Sequence, residues 1–191
     1  MANSIIGLIV EDESDFDSAK VLIQKIIGKE NIKFKSFYGK GCGKIKAKAK
    51  KWAEELKNRQ CNVLILIHDL DDNDVLDLRK KLNTALGAPP IKKTLISIPI
   101  QEMEAWLLSD PKAIQSALKL RKKPNVKGLP ETINSPKEYI RDLVRSVSNK
   151  SVEYLHTAHN KKIASDISLA EIFKKCPSFV EFHDFVKENV K

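Results

Sequence analysis

An α/β fold is predicted for this chain, with about four mostly parallel strands flanked by helices and a helical C-terminal cap. Three observations predict it. Four short apolar runs alternate with amphipathic stretches through residue 100, the βαβαβαβ order that builds a parallel sheet covered on both sides. The first and third runs, Ile5-Ile6-Gly7-Leu8-Ile9-Val10 and Val63-Leu64-Ile65-Leu66-Ile67, are apolar without alternation, as strands buried on both faces are. Beyond residue 110 the chain breaks into short helical pieces with no strand-like run.

The elements follow in order. A first strand at 5–10 stops at Glu11. Ser14 is expected to cap the next helix, whose apolar positions Phe16, Val21, Leu22, Ile26 and Ile27 share a face and which ends at Gly28. Residues 32–38 alternate apolar and basic, the pattern of a second strand near a sheet edge. Gly41-Cys42-Gly43 breaks the chain before a lysine-rich helix at 44–59 with Ile45, Trp52, Ala53 and Leu56 inward. A third strand at 62–68, a helix at 74–86, a hard stop at Gly87-Ala88-Pro89-Pro90 and a fourth strand at 94–100 complete the sheet. A brief helix at 102–108 ends near Asp110-Pro111. Helices at 112–120, 136–147, 168–175 and 178–190 follow, with a basic turn through 119–127. The expected division is an α/β core at 1–110 and a helical extension at 111–191 packed on it.

With 191 residues, 42% of them hydrophobic, the chain can bury a substantial core. Its 34 Lys and Arg against 25 Asp and Glu leave a formal charge of +9, which favours an anionic partner, nucleic acid first. Lys44, Lys48 and Lys51, in a run that also holds Lys40, Lys46 and Lys50, are candidate contacts to a phosphate backbone. Arg121 and Lys122, with Lys119 and Lys123, form a second group. A solvated helix face accounts for either group nearly as well. Cys42, Cys61 and Cys176 show no C-x-x-C spacing and an odd count, so reduced thiols in the cytoplasm are expected. No basic leader precedes the first strand, and no run reaches the roughly 18 apolar residues of a membrane span.

The chemistry-bearing residues gather at two strand exits. Glu11 follows the first strand, and Ile67-His68-Asp69-Leu70-Asp71-Asp72 leaves the third. In the order 2-1-3-4 these tips are neighbours at the switch point, where open parallel sheets bind ligands. Strand side chains alternate, so Asp69 and Asp71 are expected to point the same way. Neighbouring strands lie about 4.8 Å apart, so Glu11, Asp69 and Asp71, with Asp15 reaching back from the helix, are candidate ligands of Mg²⁺ at about 2.0–2.1 Å. Two ions about 3.5–4 Å apart would clamp an in-line phosphoryl displacement. Hard oxygen donors without cysteine, and a His68 facing away from Asp69, favour Mg²⁺ or Mn²⁺ over Zn²⁺. A cation also relieves the repulsion of clustered acids. Helix capping is the competing role for Asp69 and Asp71, but Asp74 fits it better. Glu11 competes with a solvated loop acid, and Glu102 and Glu104 with ordinary first-turn acids. Trp106 is expected in the core, His68 as a satisfied histidine at the sheet, and His156 and His159 at the surface.

Leu8-Ile9-Val10-Glu11-Asp12-Glu13-Ser14-Asp15, taken with Ile67-His68-Asp69-Leu70-Asp71, resembles the TOPRIM domain of topoisomerases, bacterial primases, small ribonucleases and the overcoming-lysogenization-defect (OLD) nucleases. Its signature is a glutamate after the first strand and Asp-x-Asp after the third. The segment Ile98-Pro99-Ile100-Gln101-Glu102-Met103-Glu104-Ala105-Trp106-Leu107-Leu108-Ser109-Asp110-Pro111 is similar to the hallmark of TOPRIM-like proteins found among bacterial defence genes. In these a glutamate before the tryptophan follows the fourth strand, and a Tyr/His/Lys-rich piece in the tail is matched here by Tyr154, His156, His159, Lys161 and Lys162. The resemblance implies a Rossmann-like TOPRIM fold and a Mg²⁺- or Mn²⁺-dependent nuclease acting on DNA or RNA, with a role in phage defence. It makes Glu11 a metal ligand or acid/base group, Asp69 and Asp71 metal ligands, and Glu104 the residue that completes the site, with Lys161 or Lys162 on the scissile phosphate. Asp12 departs from the pattern, standing where the family has glycine. OLD nucleases work with an ATPase, and this chain has no Gly-x-x-x-x-Gly-Lys-[ST], so the implied ATPase is a separately encoded partner.

Other readings of the acids fit less well. An EF-hand loop from Asp69 would need Gly where Asp74 stands and Glu where Lys80 stands. A haloacid-dehalogenase-type phosphatase carries Asp-x-Asp after its first strand, not its third. A response-regulator receiver shares the layout, with Glu11 and Asp12 on Mg²⁺ and Asp69 as phosphoacceptor, but it lacks a use for Asp71 and needs a fifth strand with a lysine. A non-catalytic module that binds nucleic acid or protein is the remaining alternative.

Overall fold

The computed structural model describes residues 4–39 and 42–191. Its sheet has four strands, β1 (Ile5–Val10), β2 (Lys33–Tyr38), β3 (Val63–Ile67) and β4 (Lys93–Ser97), all parallel and in the order β2-β1-β3-β4. The helices are α1 (Glu13–Ile27), α2 (Cys42–Asn58), α3 (Val75–Leu86), α4 (Glu104–Leu108), α5 (Pro111–Ala117), α6 (Pro136–Val147), α7 (His156–Asp166), α8 (Leu169–Lys175) and α9 (Ser178–Asn189), with a 3-10 turn at Pro130–Thr132. This is a Rossmann-like α/β architecture whose chain order reverses between β1 and β3.

Strand alternation divides the core into two layers. Leu64, Leu66, Ile9 and Ile96 face α2 and α3, against Ile45, Leu56, Leu78 and Leu82. Ile6, Leu8, Val10, Val63, Ile65 and Ile67 face α1 and the C-terminal helices. That second layer joins the 1–110 and 111–191 segments into one core. Trp106 is fully buried there between Phe179 and Phe182, and its indole N–H donates to Ser178 Oγ at 2.8 Å. Arg79 of α3 grips Glu181 of α9 with two hydrogen bonds, at 3.2 and 2.8 Å. At Gly7 a Cβ would lie 2.9 Å from Leu56 Cδ1, so a side chain there would press on the Leu56 side chain of α2.

Several details differ from the sequence reading; α2 opens at Cys42, within the expected Gly41-Cys42-Gly43 break, and α5 ends at Ala117 rather than residue 120. The N-cap of α1 is Asp12, not Ser14. The fourth strand ends at Ser97 rather than residue 100, because Pro99 brings no N–H to extend the ladder. The small helix α4 opens at Glu104 instead of 102. And α7 is a helix that apolar periodicity does not reveal: its buried face is Ile163, Ala164 and the polar Asn160. Lys40 and Gly41, the latter part of the expected break, lie outside the described residues, as does the start of the chain before Ser4. Among the described residues no helix is long and apolar enough to cross a membrane. Cys61 and Cys176 are free and buried, and burial pushes the Cys176 thiol up to about 12.

Candidate metal centre

The β1 and β3 tips are neighbours, so Glu11 and Asp69 leave adjacent strands at the switch point. Past their ends, the exits of β3 and β4 stay zipped together. His68 N–H donates to Ser97 O at 3.2 Å, Leu70 N–H to Pro99 O at 3.0 Å and Asp71 N–H to Gln101 O at 3.0 Å. Asp71 (φ 48°) and Gln101 (φ 63°), joined by the last of these bonds, are both left-handed, a sparsely populated conformation for residues with a Cβ. The turn at Asp71 ends the strand alternation that was expected to carry both acids the same way. Asp69 turns inward, where its Oδ1 accepts the Met103 N–H at 3.0 Å, while Asp71 stands exposed at the rim. Asp71 remains near enough for its charge to act on both Glu11 and Asp69.

The start of α1 adds a third acid. Asp12 is extended (φ −144°), its Oδ1 accepts the Asp15 N–H at 3.0 Å, and Asp15 Oδ2 accepts the Asp12 N–H at 3.3 Å. This reciprocal capping box gives Asp12 its role: the backbone there suits any residue, and the side chain ties off the helix. Asp15 is thereby buried, and its carboxyl is pushed well above the usual range by burial, then by Asp12, Glu104 and Glu11. Asp69 is pushed well above it too, by burial and then by Asp15, Glu104, Glu11 and Asp71. Burial also raises Glu11, with Asp71 and Asp12 adding to it and His68 and the Asp69 main chain opposing it.

Glu104, only 2% exposed, reaches this cluster from α4. Its Oε1 accepts from Asn160 Nδ2 at 3.0 Å, and the same amide nitrogen donates to Ser14 Oγ at 3.0 Å. The Tyr154 hydroxyl donates to Asn160 Oδ1, and Ser14 Oγ donates to His156 O at 3.2 Å. One buried network therefore joins α1, α4 and α7. Burial raises Glu104 while Lys137 and Asn160 pull it down; burial together with Glu104 and Glu102 keeps the Tyr154 phenol protonated.

Lys137 is the cation of the site. Burial alone would lower its pKa, but Glu104, Glu102, Asp69 and Asp15 outweigh that and raise it. Its backbone N–H donates to Glu102 Oε2 at 2.8 Å, which fixes the start of α6 beside the acids. Sequence reasoning overlooked Lys137 and Asn160, yet each breaks a local rule. A lysine in the first turn of a helix opposes the helix dipole, and a buried asparagine in mid-helix gives up apolar packing.

His68, expected as a satisfied histidine facing away from Asp69, has one ring nitrogen partnered and turns toward Glu11. It is fully buried, with Nδ1 2.7 Å from Asp69 O and 3.2 Å from Glu11 Oε1. The Glu11 contact is close enough for attraction but is not aligned as a hydrogen bond, so among the described residues Glu11 Oε1 joins His68 Nε2 and Ser97 Oγ as buried atoms without a hydrogen-bond partner. Lys161, expected at the scissile phosphate, pairs instead with Asp17 at 3.3 Å, and Lys162 is exposed on the same helix. His156 Nε2 lies 3.8 Å from Asp12 Oδ2 and is partly exposed, while His159 Nδ1 sits 3.0 Å from Leu155 O, its ring stacked on Tyr154. Lys44, Lys48 and Lys51 are exposed along α2, with Lys48 Nζ 6.0 Å from the Trp52 ring, and Arg121 and Lys122 are exposed after α5.

The structure thus brings Glu11, Asp15, Asp69 and Glu104 within reach of one another's charge, with Asp71 at the rim and Lys137 alongside. Among the described residues, however, no three His, Cys, Asp or Glu side chains stand in the arrangement of a metal-binding set. Fold and site together define a doubly wound parallel α/β protein with an acid cluster at its switch point. Residues 10–187 match the model of the family described as Domain of unknown function (DUF4276), and the chain belongs to that family. No curated protein and no solved structure matches the chain.

Proposed function

We propose that the protein is a metal-dependent, TOPRIM-type nuclease that hydrolyses nucleic-acid phosphodiester bonds. The observation that carries the reading is Asp69: a part-buried carboxyl at the switch point, within reach of the charges of Asp15, Glu104 and Glu11, whose Oδ1 accepts the Met103 N–H. Acids so placed repel one another when ionised, and a divalent cation removes that penalty. The donor set fits Mg²⁺ or Mn²⁺, being hard carboxylate oxygens, one of which, Glu11 Oε1, is buried without a hydrogen-bond partner. Glu11, Asp15 and Asp69 would hold the ion, with Asp71 at the rim. Bound there, the ion would supply charge stabilisation and a more acidic water.

The remaining roles belong to the chain itself. Lys137 draws the scissile phosphate toward the acids and offsets their charge, the role the resemblance gave to Lys161 or Lys162. Asn160, anchored by Tyr154 and Ser14, fixes Glu104 at the edge of the cluster, where it can orient a water. His68 steadies Glu11 from behind. The likeness to OLD-type nucleases extends the proposal to phage defence and to a separately encoded ATPase.

The test is incubation of wild type, Asp69→Ala/Asp71→Ala and Lys137→Met with plasmid, single-stranded DNA and RNA in Mg²⁺ or Mn²⁺. Cleavage by wild type, abolished in the double variant and reduced by about 10² or more in Lys137→Met, is the expected result. Equal cleavage by the Asp69/Asp71 variant overturns the assignment. Labelling of Asp69 by acetyl phosphate without cleavage replaces it with a phosphoacceptor, and binding without either replaces it with a binding module.

A further inference from the structure

From the acid cluster, α6 leads to a second feature of the molecule. Lys137, Arg141 and Arg145 recur every fourth residue and so lie on one face of the helix, spanning about 12 Å from the site toward its C-terminal end. Lys137 is half-buried among the acids, and the two arginines are exposed. Arg141 Nε pairs with its neighbour Asp142 at 3.2 Å, an exposed contact that leaves the outer guanidinium nitrogens available.

Where α6 ends, a groove of about 670 Å³ opens between the segment after α5 and the turn after α6. Lys119, Arg121, Lys122 and Lys123 form one wall, and Ser148 and Asn149 stand in the other; no acid lines it. A further observation suits the groove to an anion. Among the described residues, 121–126 make no hydrogen bond with the rest of the chain through main chain or side chain, so the N–H groups of Arg121, Lys122, Lys123 and Asn125 are free for a ligand. Lys119 (φ 53°), Asn149 (φ 51°) and Lys150 (φ 62°) are left-handed where α5 and α6 end, as residues that close a helix commonly are.

We infer that the α6 stripe and this groove form a track for a single phosphodiester strand, leading from the groove to the acid cluster. The inference rests on the nuclease reading and adds to it the path of the substrate. Cations along one helix face and free amides at its end recognise backbone phosphate without reading sequence, so DNA and RNA strands both satisfy it. The length of stripe and groove together suits a strand of several nucleotides, within the roughly 4–16-nucleotide footprint of single-strand sites.

The test measures anisotropy of labelled oligo-dT and oligo-rU of about 20 nucleotides, longer than such a footprint, on the full chain without divalent cation and across a salt series. Arg121→Glu/Lys122→Glu/Lys123→Glu is expected to weaken binding at least ~10-fold and to lower the slope of log K against log salt by about 2, three contacts at about 0.7 each. Arg141→Glu/Arg145→Glu is expected to weaken it as well. Lys57→Glu/Lys80→Glu/Lys81→Glu, exposed residues on α2 and α3, makes the same change in net charge and is expected to leave binding within ~2-fold. Equal losses from the two triple variants, or no binding of either strand by wild type, overturn the track. If the wild type binds through the groove yet cuts nothing with Mg²⁺ or Mn²⁺, the nuclease reading fails and the track stands. Hydrolysis of bis(nitrophenyl) phosphate with groove variants that bind strands like wild type has the opposite meaning.

Discussion

Replacing Asp69 by Asn tests the electrostatic account of the site without needing a substrate. The substitution is isosteric and keeps an oxygen to accept the Met103 N–H, while it removes a desolvated charge that faces Asp15, Glu104 and Glu11. The loss is that of a charge-assisted bond made neutral, about 1 kcal/mol; the gain is relief of an unpaired desolvated carboxylate, about 2–4 kcal/mol. The metal-free variant is therefore expected to be more stable than wild type by about 1–3 kcal/mol near neutral pH, at roughly 2–4 °C per kcal/mol for a chain of this size. The sign of the pH dependence follows from the raised carboxyls. The folded state binds protons at Asp15, Asp69, Glu104 and Glu11 more readily than the unfolded chain does, so their contribution is fully present below the ordinary carboxylate range. It is lost as pH rises through their elevated values. Thermal unfolding followed by circular dichroism at about pH 5.5 and about pH 7.5, on either side of neutrality, is the assay, with and without Mn²⁺. The stabilising effect of Asn should grow with pH, and Mn²⁺ should raise the melting temperature of wild type but not of the variant. A variant less stable than wild type at both pH values, with no response of wild type to Mn²⁺, would refute the reasoning.

Three further outcomes are expected. Lys137→Met should lower the melting temperature of the metal-free protein, because it removes a cation set among Glu104, Glu102, Asp69 and Asp15, and the loss should shrink as pH falls and those acids protonate. Asn160→Leu strands the Tyr154 hydroxyl and Glu104 Oε1 in the interior and should cost about 2–4 kcal/mol by denaturant unfolding, whereas Ser14→Ala, which removes one branch of the network, should cost about 1 kcal/mol. Gly7→Ala presses a methyl against Leu56 and should cost about 1–3 kcal/mol, read as a shift in denaturant midpoint at unchanged slope.

The sheet was legible because burial on both faces leaves unbroken apolar runs, and β1 and β3 carry them. The edge position of β2 showed in its alternating lysines, and the ends of α1 and α3 in Gly28 and in the Asp74 cap. Glu11 and Asp69 were legible as acids at strand exits, and they became a pair once the strand order proved to be β2-β1-β3-β4. The helix α7 was not, because its inward face is held by a hydrogen-bonded asparagine, and hydrogen-bonding geometry leaves no trace in hydropathy. The divergence of Asp69 from Asp71 was equally hidden: a left-handed residue at Asp71 stops the strand geometry from which their common direction was inferred.

By itself, then, the sequence determined the layers and which acids leave the tips of β1 and β3, and it offered 2-1-3-4 as the strand order under which those tips meet, since these depend on local pattern and on a small set of permitted α/β connections. Only the tertiary structure decided which charges face each other. Lys137, Asn160 and Tyr154 come from distant segments to meet Glu104, and His68 turns toward Glu11, because packing the C-terminal helices on the α1 side of the sheet closes distances that no spacing along the chain encodes.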